Sequence, residues 1–266
     1  MKVRDKVIVV TGAGGGVGRE LVLNLLSKGA KVAAIDINKE RLEETAKIAK
    51  DKKNLSIHIC DISKLELVSQ VAKDIIEKHG AVDGLINNAG IIQPFIKVND
   101  LDYAKINLVM NVNFYGTLYM TKAFLPHLLT RPEGHILNVS SMGGFFPFPG
   151  QSIYGASKAA IKLMTEGLYA ELLSTDVHVT IVFPGAIATD IAKNSDVVMA
   201  QPKTDEKPAM KMTSPVVCAE IMIKGMEKNK FQVFAGKDSK MMHFMYKLSP
   251  KSAIKMISKV MAGQNL

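Results

Sequence analysis

Tyr154 and Lys158 stand one helical turn apart in the stretch YGASK, and Ser141 precedes Tyr154 by 13 positions. A phenol, an ammonium and a hydroxyl at this spacing can form a proton-transfer site. Residues i and i+4 share a helix face, so the ammonium can stand beside the phenol. A free phenol is a poor base, with a pKa of about 10, and a neighbouring positive charge draws that value toward neutrality. A hydroxyl placed like that of Ser141 can donate to a substrate oxygen and stabilise negative charge as it develops. Alone, a YxxxK tetrad arises by chance on many helices. Its meaning depends on whether the rest of the chain builds a cofactor site beside it.

Short β-branched runs alternate with amphipathic helical patterns along the chain. This alternation predicts an α/β fold: a Rossmann-like, doubly wound parallel sheet with helices on both faces, in a single domain over residues 1–266. Strands are expected at Lys6–Val10, Lys31–Asp36, Leu55–Asp61, Gly84–Asn87, His135–Ser140, Val177–Phe183 and Phe231–Phe234. Most are continuous apolar runs, as strands buried on both faces should be. Helices are expected from near Val17, after an N-cap at Asn38, after Ser63, over about 101–129 and over 152–173.

The first strand runs into TGAGGGVG, Thr11 to Gly18. A glycine-rich turn from strand to helix lets backbone approach a pyrophosphate, and the helix N-terminus offers it free N–H groups and a positive dipole end. Gly12, Gly14, Gly15, Gly16, Val17 and Gly18 are the candidates for this cradle. Asp36 closes the second strand, where a carboxylate can accept from ribose hydroxyls and repels a 2′-phosphate. Gly15 stands where a basic residue could have held such a phosphate, so NAD is favoured over NADP. Asp61 ends the third strand and NNAG the fourth. Ligands of a doubly wound sheet lie beyond these carboxyl ends.

Together these motifs make the chain resemble the short-chain dehydrogenases/reductases, in the compact subfamily with TGxxxGxG and YxxxK. The resemblance covers roughly residues 5–190 through TGAGGGVG, Asp61, NNAG, VNFYG, NVSS, YGASK and PGAIAT. It implies a catalytic set of Asn113, Ser141, Tyr154 and Lys158, with Lys158 also reaching the nicotinamide ribose and Asn113 anchoring a relay water. It places Asp61, with Ile62 beside it, at the adenine and Asn88, Ala89 and Gly90 along the cofactor near its ribose. Pro184, Gly185, Ile187 and Thr189 fall at the nicotinamide. Homodimers or homotetramers through the two long helices are implied as well. The expected reaction is hydride transfer between NAD(H) and a secondary alcohol or ketone. Two other classes stay open: an epimerase or dehydratase, whose larger relatives share YxxxK, and a binding protein that senses dinucleotide redox state.

Phe145, Phe146 and Phe148 lie between Ser141 and Tyr154. They are expected either to line the substrate mouth, together with Ser141 and Tyr154, or to meet a neighbouring subunit. With the Met-rich tail they suggest a lipophilic substrate. The polar stretch Ala192–Pro215 is expected to act as a lid, within about 190–215.

The net charge is +9, and from Ile191 onward 13 Lys face only 6 acidic residues. In the tail, about 237–266, Lys251, Lys255 and Lys259 are expected on one helical face, opposite Ile254, Ile257, Val260 and Met261. That tail could lie on an anionic membrane, pack on a partner subunit or cap the pocket. No recognition motif accompanies it, so no nucleic-acid role is expected. None of the six histidines forms a metal-ligand pair, so no metal is expected, and the histidines are expected at the surface or at strand ends. Cys60 and Cys218 sit in apolar contexts, too few for a disulfide framework, which favours a reducing cytoplasm.

Overall fold

The computed structural model describes residues 1–195, 197 and 212–262. Chain order is β1 (Val7–Thr11), α1 (Gly16–Ser27), β2 (Lys31–Asp36), α2 (Lys39–Ile48), β3 (Leu55–Ile59), α3 (Leu65–His79) and β4 (Gly84–Asn87). Then come α4 (Tyr103–Met110), a π turn (Asn111–Tyr115), α5 (Gly116–Leu128), β5 (Gly134–Val139), α6 (Ser152–Glu171) and β6 (Val177–Pro184). The chain continues with α7 (Ile191–Asn194), α8 (Pro215–Glu227), β7 (Gln232–Ala235), α9 (Lys237–Leu248) and α10 (Pro250–Ala262). All seven strands are parallel, in the order β3-β2-β1-β4-β5-β6-β7. Strand order reverses between β1 and β4, which opens a crevice beyond Thr11 and Asn87.

Alternate strand residues feed two apolar layers, which explains why the strands read as continuous hydrophobic runs. Ile8 and Val10 pack with Leu21, Leu25, Met222 and Met226 of α1 and α8. Val7 and Val9 point the other way, toward Val68, Ile75, Phe124 and Leu168 of α3, α5 and α6. The α2 cap is the expected one: Asn38 accepts from the Arg41 N–H at 2.9 Å.

The long helix expected over 101–129 is interrupted. Asn111–Tyr115 forms a π turn between α4 and α5. Asn113 sits in it, buried, with its side-chain amide bonded to the Ile91 backbone and to Ser157. Such turns occur often at functional sites. Helical periodicity runs straight through this stretch, and nothing local distinguishes the π turn. Strand ends also move slightly: the third strand stops at Ile59 rather than Asp61, leaving Asp61 free to cap the next turn through the Ser63 N–H at 3.0 Å.

Candidate active site

Beyond β1, the chain turns through Gly12 and Gly16, both in the left-handed region at φ 66° and 51°. Gly18 follows inside α1, where an added Cβ would overlap the Gly12 carbonyl oxygen and stand 2.7 Å from Asn88 Nδ2. Nothing lies within 4 Å of the place a Cβ would take at Gly15, the N-cap of α1, and no side chain caps that helix. The result is a hollow floored by unpaired N–H groups, chemistry that suits an anion such as a pyrophosphate. A cleft of about 430 Å³ opens beside it, lined by Gly16, Arg19, Thr189 and Met212 among others.

Asp36 borders the same turn. Its two oxygens accept from the Gly14 N–H at 2.8 Å and the Asn38 N–H at 3.0 Å. Arg41 flanks this corner too, its Cβ 2.8 Å from where a Gly14 Cβ would lie. Arg19 is engaged by the Gly14 carbonyl, Glu44 and Thr45. Thr11 joins β1 to β4: its hydroxyl accepts from the N–H groups of Asn88 and Ala89, each at 3.0 Å. Ile62 is buried against Gly116, so its side chain belongs to the core.

The four expected catalytic residues come together. Ser141 follows β5 and accepts from the Gly143 N–H at 3.0 Å. A Cβ added at Gly143 would stand 3.4 Å from both Ser141 Oγ and Tyr154 Cε1, so the hydroxyl and the phenol ring share one corner of the site. Lys158, one turn further along α6, is 3% exposed and donates from Nζ to the Val139 carbonyl at 3.1 Å. A Cβ added at Gly90 would stand 3.0 Å from Lys158 Nζ and 3.2 Å from Asn113 Oδ1, so the NNAG turn closes directly over both.

The electrostatics depart from expectation. Burial pushes the Tyr154 phenol above its ordinary value, and the Ser141 hydroxyl is the influence that lowers it. Burial also depresses the Lys158 ammonium, to about 8. Without a cofactor, then, the site holds a neutral phenol beside a lysine that gives up its proton easily. The lysine does not figure among the influences on the phenol; loss of water dominates at both groups.

The phenylalanines face the chain's own C-terminal helices. Phe146 is 0% exposed and clusters with Met242, Ala253, Ile257 and Met261, while Phe145 stacks edge-on against Phe183 and Phe234. Phe148 lies at the edge of the first cluster. The buried stripe of α10 is Ala253, Ile257 and Met261, whereas Ile254 and Val260 are exposed, which corrects the expected apolar face. The three lysines do lie on the exposed side. Of the expected lid, residues 196 and 198–211 lie outside the described residues.

The family described as short chain dehydrogenase matches residues 6–198. A Mycobacterium tuberculosis protein named as an oxidoreductase, SadH, is 33% identical over 262 residues, covering 95% of this chain and 94% of its own length. An uncharacterized oxidoreductase of Staphylococcus aureus is 37% identical over 188 residues, covering 70% of this chain and 80% of its own. This chain belongs to the short-chain dehydrogenase family. Among solved structures, a short-chain dehydrogenase/reductase from Burkholderia phymatum in complex with NAD superposes with a TM-score of 0.80 at 25% identity, covering 88% of this chain and 90% of that one. A short chain dehydrogenase from Burkholderia cenocepacia in complex with NADP gives 0.80 at 28% identity, covering 97% and 99%.

Within this dehydrogenase, α9 braces the turn after β6. Asp238 accepts from the Ala186 N–H at 2.6 Å, and its carboxylate fills the space that a side chain at Gly185 would need. Ser239 donates to the Phe183 carbonyl at 2.8 Å. The stretch that includes Pro184, Gly185, Ile187 and Thr189 is therefore held by the C-terminal tail, and Ile187 bridges to Thr213 ahead of α8. Asp238 had no sequence signal, because its partner lies 52 residues away. Among the described residues, no group of three or more His, Cys, Asp or Glu could hold a metal ion, and no helix is long and apolar enough to cross a membrane. His135, expected at the surface or at a strand end, lies one residue from the start of β5 and is fully buried against Thr180, and burial holds its ring down at about 3.

Proposed function

We propose that this oxidoreductase moves a hydride between NAD(H) and a lipophilic secondary alcohol or ketone, with Tyr154 as the proton donor and acceptor. The observation that carries the reading is the meeting of the Ser141 hydroxyl and the Tyr154 ring at Gly143, one helical turn from the buried ammonium of Lys158, in a fold that also presents an uncapped helix N-terminus. When bound, a nicotinamide supplies the hydride acceptor or donor. The hollow at Gly15 and the N–H groups of α1 hold its pyrophosphate. Asp36 receives ribose hydroxyls and keeps a 2′-phosphate away, which favours NAD.

For a ketone, Ser141 donates to the substrate oxygen and Tyr154 delivers the proton. A phenol pushed up by burial is the form this direction needs. For an alcohol, Tyr154 must lose its proton, and the Lys158 ammonium stabilises the phenolate. Asn113 fixes the turn at Gly90 and Ile91 over Lys158 and anchors the water that returns the proton to solvent. Packing of α9 and α10 on Phe146 favours the pocket-capping role for the tail. Exposed Leu108 and Tyr115 in the α4–π turn stretch, with Leu163 and Leu173 on and just after α6, favour a homodimer or homotetramer through those helices. Two buried free thiols favour a reducing cytoplasm.

Tyr154→Phe tests the central claim. Turnover should fall by roughly 10²–10⁴-fold across a panel of lipophilic and polar alcohols and ketones, while NADH binding, followed by fluorescence, stays within about twofold. Retained turnover would remove Tyr154 from the chemistry. Turnover of small polyols alone would remove the lipophilic assignment.

A further inference from the structure

Three consecutive residues after the NNAG turn each reach a different part of the candidate site. Ile91 exchanges two hydrogen bonds with the Asn113 side chain, at 2.9 and 3.0 Å. Ile92 donates from its N–H to the Ser195 hydroxyl at 3.0 Å, just past α7. Gln93 is 0% exposed, and its side-chain amide bonds α6 and the turn before it, with one longer bond from Nε2 to the nearby Ile96 carbonyl at 3.4 Å. Its Oε1 accepts from the N–H groups of Ile153 and Tyr154 at 2.8 and 2.9 Å. Its Nε2 donates to the Gly150 carbonyl at 2.8 Å. In return, Gln151 Nε2 donates to the Gln93 carbonyl at 2.8 Å.

The first N–H groups of any helix lack partners within it, and a side-chain oxygen just before the helix commonly supplies one. At α6 that local cap is missing: Gln151, the N-cap residue, makes no such bond. Gln93 supplies it from 60 residues away, at the second and third helical positions. The third is Tyr154 itself. The end of the cofactor turn and the backbone of the proposed proton donor are therefore one hydrogen-bonded unit.

We propose that Gln93 is a positioning residue for Tyr154, capping α6 from the NNAG turn so that the phenol meets Ser141 and the cofactor crevice in one fixed geometry. This rests on the reading of Tyr154 as proton donor and acceptor. Gln93 touches neither substrate nor cofactor; it acts through the Tyr154 main chain. An apolar residue of the same length there leaves the Ile153 and Tyr154 N–H groups without partners. The first turn of α6 then loosens, while Gly12–Gly18 and Asp36 are undisturbed.

The test compares Gln93→Met with wild type in two ways. Tyrosine labelled with ¹³C at Cζ puts one NMR signal on each of the six phenols, and that of Tyr154 is identified by its loss in Tyr154→Phe. In Gln93→Met the Tyr154 signal should shift or broaden while the other five stay in place. An unmoved Tyr154 signal overturns the proposal whether or not the protein turns over any substrate. In the kinetic arm, kcat should fall by about 10- to 100-fold with the KM for NAD within about twofold, as expected for a displaced reacting group. A loss of rate that merely follows the folded fraction, or a change shared by all six signals, overturns it in favour of a general packing role. Failure of wild type to turn over alcohols or ketones overturns the proposed function alone, because the NMR arm still decides whether Gln93 sets Tyr154.

Discussion

Replacing Lys158 by Met should stabilise the cofactor-free protein at neutral pH while abolishing turnover. Lys158 is 3% exposed, and burial pulls its ammonium from 10.5 down to about 8. One pKa unit corresponds to about 1.4 kcal/mol, so keeping the charged form folded costs about 3 kcal/mol wherever the pH lies below 8. The methionine removes the charge from the same buried place. It also orphans the Val139 carbonyl, which accepts from Nζ in wild type and whose loss of a partner costs about 1–2 kcal/mol. The net gain at pH 7 is about 1–2 kcal/mol. Between pH 8 and 10.5 the unfolded chain still binds the proton that the folded chain has released. Wild-type stability therefore rises with pH through that window, and the advantage of the variant disappears. Urea unfolding of both proteins without cofactor, followed by circular dichroism from about pH 7 to pH 10, reads the difference directly. A variant less stable than wild type at pH 7, or a gap that does not change with pH, refutes the burial argument.

Asp36→Ala removes the carboxylate but leaves Arg41 at the same corner, so the ratio of kcat/KM for NAD over NADP should drop by about 10- to 100-fold, an effect of about 1.4–2.7 kcal/mol. A wild type that already prefers NADPH contradicts the role given to Asp36. Gly18→Ala places a methyl group against the Gly12 carbonyl, so the turn must open; NADH affinity should weaken at least about tenfold with helix content unchanged. Phe146→Ala empties the contact between the 142–148 segment and α9–α10 and should cost about 3–5 kcal/mol. Limited proteolysis should then cut first within 237–262; unchanged tail protection counts against the capping role.

Much of the chemistry was legible because it is local. A glycine-rich turn must be spelled out in consecutive residues, since left-handed backbone at Gly12 and Gly16 and the closeness of Gly18 to Gly12 leave few substitutes. The i, i+4 relation of Tyr154 and Lys158 follows from helix geometry alone. Strands buried on both faces announce themselves as unbroken apolar runs, which is why Lys31–Asp36 and Gly84–Asn87 match residue for residue. By contrast, periodicity reports only that a residue is apolar and in phase. It carried 101–129 as one helix across the π turn at Asn113, and it assigned Ile254 and Val260 to a face that the tertiary packing leaves exposed.

What the sequence determined by itself is the reaction class and the cofactor half, through motifs whose partners lie within a turn or two. Only the tertiary structure decided how those groups are held and tuned. Gln93 caps α6 across 60 residues, Asp238 braces the turn after β6 across 52, and Phe146 packs on α10. The depressed ammonium of Lys158 and the raised phenol of Tyr154 belong to the same category, since both follow from the exclusion of water by residues drawn from several strands and helices. A buried polar group must find a partner somewhere. The local sequence states the need, but the packing of distant segments chooses which residue meets it.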